Sequence, residues 1–70
     1  MYVAEHTGLS GQTVKILTDK GRTVIGLVAG ECWARLYFLE AEVQDPGQVF
    51  NKTNNVQVGK GEIAELEVLK

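Results

Sequence analysis

The chain has 70 residues, with seven basic and nine acidic side chains and a formal charge of −2, which allows one domain at the size where apolar burial only just outweighs chain entropy. A single cysteine, Cys32, and a single histidine, His6, exclude an intramolecular disulfide and a structural zinc site built from one chain, so oligomerisation is the staple open to it. No segment has signal-peptide character or membrane-spanning length and the acidic balance gives no general drive toward phosphate backbones, so a soluble cytoplasmic protein without cofactor or metal is expected.

Residues 2–9 read as about two helical turns with Val3 and Leu9 facing the body, although Gly8 and the lack of a good cap count against a helix. Over 13–18, Val14 and Ile16 alternate with Lys15. Asp19-Lys20-Gly21 then supplies a hairpin turn in which Gly21 takes positive φ without steric cost. The second strand, 22–29, sets Val24, Gly26 and Val28 on one face and Ile25 and Leu27 on the other, which predicts cover on both faces. Gly26 in mid-strand fits sharp curvature or close backbone approach, and such bending lets a short sheet close into a miniature barrel.

Gly30-Glu31-Cys32 opens the next turn, and the third strand, 34–43, has Leu36 and Phe38 opposite Tyr37 and Leu39. Asp45-Pro46-Gly47 ends it. Residues 44–55, with the polar run Asn51-Lys52-Thr53-Asn54-Asn55, read as one long loop or a loose extension of the hairpin. A short fourth strand, 56–58, and the tight connection Gly59-Lys60-Gly61 lead into a fifth, 62–68. There Ile63 and Leu66 alternate with acidic neighbours, and a slip of phase near Ala64 and Glu65 predicts a bulge.

Val14, Ile16, Gly21, Arg22, Val24, Gly26, Val28 and Gly30 form an ungapped pattern: alternating apolar residues, a polar turn ending in glycine, then glycine and valine positions on a bent strand. Leu36, Phe38, Ala41 and Glu42 continue it, and residues 58–66, with Lys60-Gly61 followed by Ile63, form a second and shorter signature. In these two regions, more than half of its length, the chain resembles the Sm and Sm-like (Hfq-like) family. The resemblance implies an all-β fold: a small, strongly bent five-stranded SH3-like barrel under a short amino-terminal helix. It also implies a homo-oligomeric ring, formed by pairing the fourth strand of one subunit with the fifth of the next. Val56, Val58, Ile63, Leu66 and Val68 are then interface residues, in keeping with the independent need to hide edge strands.

The same resemblance implies single-stranded RNA at the inner rim of the ring. In the family it is held by an aspartate and an asparagine in the loop after the second strand, and by the arginine of an Arg-Gly pair before the fifth. Here Cys32 stands near the aspartate position and Arg35 near the asparagine, in a loop one residue shorter, while Lys60, followed by Gly61, keeps a cation without the planar fork. Trp33 beside Arg35 is equipment for stacking a base and holding its phosphate. The alternative is that Trp33 packs against a neighbouring subunit or the barrel mouth, and that Arg35 is a solvated partner for Glu31 or Glu40.

No histidine or acid is spaced near Cys32, which reads as a small, partly buried thiol, and no enzyme is expected. His6 reads as a surface residue, and Glu40, Glu42, Glu62, Glu65 and Glu67 as solvated strand faces. Lys15, Lys20 and Arg22, with Asp19 among them, read as a soluble hairpin tip. The leading expectation is therefore a ring binding RNA at its pore through Trp33, Arg35 and Lys60. A structural or scaffold ring acting through protein–protein contacts is the alternative. A fainter likeness links VIGLVAG to the tryptophan-responsive RNA-binding attenuation proteins, another all-β ring, which would imply an amino-acid ligand between subunits. Val28 occupies the place of their ligand-contacting threonine.

Overall fold

The computed structural model describes residues 8–69. Among them, β1 (Thr13–Thr18), β2 (Thr23–Leu27), β3 (Gly30–Glu31), β4 (Arg35–Gln44), β5 (Asn51–Gly59) and β6 (Ile63–Leu69) form one antiparallel sheet curled into a half-barrel, with a 3-10 turn at Lys60–Glu62. The small all-β barrel expected from the sequence is thus present. The helix expected over 2–9 falls almost wholly outside the described residues; within them Leu9 is buried in the core and Gly8 has φ +70°. No helix among the described residues is long and apolar enough to cross a membrane.

The sheet runs β3-β4-β2-β1-β6, with β5 on the other side of β4. The second half of β4 pairs with β2, from Thr23↔Gln44 to Gly26↔Ala41, and its first half pairs with β3 at Gly30↔Tyr37 and Glu31↔Leu36. Thus β2 and β3 are two halves of one bent strand. It breaks where the Val28 N–H bonds to the Gln12 carbonyl and the Ala29 N–H to the Tyr37 carbonyl, so the chain changes partner strand in a single step. The five-strand path is retained, but Gly30 and Glu31 belong to a strand rather than a turn, and the turn tightens to residues 32–34.

Alternation explains the core. Val14, Ile16, Val24 and Leu36 are wholly withdrawn from solvent, with Val28 and Phe38 almost so, and each such side chain contributes roughly 1.5–3 kcal/mol of transfer free energy. A Cβ on Gly26 would lie 3.0 Å from both the Ala41 Cβ and the Glu40 carbonyl oxygen. The mid-strand glycine and its small partner therefore let β2 and β4 approach where the sheet curves. The outer face of β2 departs from expectation. Leu27 is 55% exposed, because no element among the described residues lies over it.

Of the two readings of residues 44–55, the extension of the hairpin holds for 51–55: β4–β5 pairing runs from Arg35↔Gly59 to Val43↔Asn51, and the connecting loop shrinks to residues 45–50. Their side chains bury nothing, so they lack apolar alternation; their backbone pairing alone makes them strand. In β4 the inward residues change from Leu36 and Phe38 to Ala41 and Val43, leaving Leu39 and Glu40 both exposed. Asn55, at the facing point of β5, has φ 57°. Both strands reverse faces together, so Phe38↔Val56 and Glu40↔Asn54 keep one register across the bend.

The β1–β6 register shifts between Leu17, opposite Glu65, and Thr18, opposite Ile63, so Ala64 is the extra residue of a bulge, as the slip of phase predicts. Consecutive in the chain, β5 and β6 form opposite margins of the sheet, and among the described residues each pairs on one side only.

Candidate functional site

The turn at residues 32–34 is pinned from two sides. The Cys32 N–H bonds to the Arg35 carbonyl at 2.9 Å, and the Lys60 N–H to the Ala34 carbonyl at 2.8 Å. The second bond brings the 3-10 turn against the β3–β4 turn, so Cys32, Trp33, Arg35, Lys60 and Gly61 gather at one end of the half-barrel. At the tip Trp33 is 81% exposed.

Lys60 points the other way. Its side chain is buried, and Nζ lies 3.0 Å from Oε2 of Glu31. The other Glu31 oxygen accepts the backbone N–H groups of Leu9 and Ser10. The Lys60 ammonium beside Glu31, reinforced by these two amides, holds its carboxyl below the usual carboxylate range against partial desolvation. A buried ammonium requires such a counter-charge, so the lysine is engaged internally instead of offering its charge to a ligand. Their separation of 29 positions along the chain hid the pair from sequence reading.

Arg35 donates from Nη1 to Oε1 of Gln57 at 3.2 Å, an exposed contact, and is hydrogen-bonded neither to Glu31 nor to Glu40. Cys32 is exposed, not partly buried as expected. Its Sγ lies 3.5 Å from the Tyr37 hydroxyl, which pulls the thiol below its ordinary range and pushes the tyrosine above its own. Tyr37 and Gln57 are the site residues that sequence reading passed over. Only the alternation that sends Leu36 and Phe38 inward could have put Tyr37 beside Arg35 on the outer face.

The five apolar residues of the expected interface divide into two groups. Val56 and Val58 face the core, while Ile63 and Leu66 are half-buried against it and Val68 is 36% exposed at the β6 margin. On the outer face Glu42 lies opposite Lys52 and Glu67 opposite Lys15. Among the described residues no group of three or more metal-ligating side chains forms. Arg22 and Asp45, 2.7 Å apart and each about half exposed, tie the first hairpin turn to the tip of the second hairpin. His6 lies outside the described residues.

Chemically, this end of the molecule offers two aromatic rings, a guanidinium and an amide. Such a set suits flat, anionic ligands. Comparison of the chain with protein families, with curated proteins and with solved structures finds no match.

Proposed function

We propose that the chain is an Sm-like protein that assembles into a homo-oligomeric ring and binds single-stranded RNA at the rim formed by Trp33 and Arg35. Assembly is supported by the margins β5 and β6, each with an edge unpaired among the described residues, and by the half-covered inner face of β6 at Ile63, Leu66 and Val68. Pairing the β5 edge of one subunit with the β6 edge of the next removes both edges and extends the core across the boundary. The observation that carries the RNA reading is the 81% exposure of Trp33 next to Arg35 on a turn fixed by two backbone hydrogen bonds. Lys60, committed to Glu31, drops out of the binding set.

A second reading, a scaffold ring without RNA chemistry, is favoured by that same internal pair and by the net acidic charge. Size-exclusion chromatography with light scattering, with and without a uridine-rich oligonucleotide at low salt, separates the two. The expected result is an assembled particle that gains the mass of the oligonucleotide. An assembled particle indifferent to it selects the scaffold, and a monomer at micromolar concentration overturns the ring.

A further inference from the structure

Trp33, Arg35, Tyr37 and Leu39 follow one another at every second position, and on β4 the last three lie on the face opposite Leu36 and Phe38. Outward neighbours on a strand are roughly 6.6–6.8 Å apart, a stride comparable to that of an extended nucleotide chain. Tyr37 is flanked across the sheet by Gly30 on β3 and Gln57 on β5. A Cβ placed on Gly30 would meet nothing within 4 Å, so the space over that residue is open, while the Tyr37 hydroxyl lies on Cys32 Sγ. A strand glycine next to an aromatic is a place where a ligand can come close to the backbone.

The charge of this stripe differs from that of the chain. Arg35 is its charged member among the described residues, because Glu31, which borders it, turns its carboxylate under the turn to Lys60. On a protein of net charge −2 the strip thus sets one cation, Arg35, between two aromatic side chains, with the exposed Glu40 beyond Leu39 at its far end, and the cation flanked by rings complements a flexible polyanion with flat bases. Gln57, already on the Arg35 guanidinium, adds an amide able to reach a base edge.

Resting on the RNA reading above, we infer that the bound single strand runs along the outer face of β4. One base stacks on Trp33, a phosphate sits at Arg35, and a base two steps along the strand lies on Tyr37, whose cross-strand neighbour Gly30 leaves open space. The path leaves the Lys60-Gly61 turn behind it. Selectivity on such a surface is for single strands over duplexes, since bases must be unstacked to lie on the rings.

Trp33 is the sole tryptophan, so its fluorescence reports on the strip directly. Titrating the full chain with a mixed-sequence 12-nucleotide single strand, as RNA and as DNA, and with the matching duplex, is expected to quench Trp33 with the single strands only. Tyr37→Ala is expected to weaken binding about tenfold or more, whereas Tyr37→Phe, which keeps the ring, binds like the wild type. Arg35→Gln is expected to lower the salt dependence by about one ion. Lys20→Ala and Lys52→Ala, away from the strip, serve as controls. If the single strand binds but Tyr37→Ala and Arg35→Gln leave affinity unchanged, the path along β4 is wrong and the RNA reading stands. If no oligonucleotide binds the wild type, both fail. Equal duplex binding also overturns the path, as does quenching that rises with protein concentration alone, which would make the strip a contact between copies of the chain.

Discussion

The ammonium of Lys60 and the carboxylate of Glu31 meet at 3.0 Å beneath the β3–β4 turn, and the same carboxylate holds the chain at Leu9 and Ser10. One side chain therefore fastens three separated segments: the approach to β1, the strand β3, and the turn that joins β5 to β6.

Removing one partner of this pair is expected to cost more than the pair is worth, because the other charge stays enclosed. Lys60→Ala should destabilise by about 3 kcal/mol, a large share of the stability of so small a domain, read from urea midpoints. The pH dependence follows from the depressed folded-state pKa of Glu31. Its contribution is fully present above the unfolded value, about 4.3, and is lost as pH falls through the lower folded value. Glu31→Gln should therefore be less stable than the wild type at neutral pH, and the gap should close in acid.

The Cys32 thiol, held below its ordinary range by the Tyr37 hydroxyl, should alkylate with a pH midpoint lower than that of a free cysteine. Tyr37→Phe removes the hydroxyl and should move that midpoint upward. Rates of iodoacetamide labelling between pH 6 and about 10, followed by mass spectrometry, report it; an unmoved midpoint would mean the contact does not persist in solution.

Gly26→Ala places a methyl against Ala41 and the Glu40 carbonyl. With backbone on one side, relief requires β2 and β4 to separate, and the expected cost is roughly 1–3 kcal/mol. The double change Gly26→Ala, Ala41→Gly frees the methyl-to-methyl contact but not the carbonyl, so chemical denaturation should recover only part of the loss.

Val68 sits at the open margin of β6, opposite Val14 on β1. Val68→Glu is expected to lower the thermal stability of the isolated subunit moderately, since the position is 36% exposed but shares the inner face with Val14. In the proposed ring it would put a carboxylate where the neighbour's β5 lies, so light scattering should report a lower mass. An unchanged particle mass would remove β6 from the contact.

The bent hairpin was legible because two signals coincide: apolar alternation at Val14, Ile16, Val24 and Val28, and glycines where the backbone needs them, at the turn (Gly21, φ +88°) and the crossing (Gly26). The bulge at Ala64 was legible for a like reason, as a slip in phase. The start of β5 was not, because Asn51 to Asn55 enter the sheet through backbone hydrogen bonds, which leave no mark on side-chain type. The inward turn of Lys60 was equally hidden. Its cause is a carboxylate brought close only by the fold, and a lysine before a glycine in a tight connection otherwise reads as solvent-facing.

The reversal of faces at Leu39 and Asn55 makes the arch of the sheet a matter of counting. Deleting one residue from each strand at that point would leave every core side chain of β4 and β5 in the sequence and restore a single unbroken alternation, with Leu36, Phe38, Ala41 and Val43 all on one side. Such a hairpin would be as apolar as the present one and would lie flat. The hollow of the half-barrel is stored as one surplus residue on each side of the ladder, so single-residue length changes there should matter more than changes of residue type, and equal changes in the loop 45–50 should matter least.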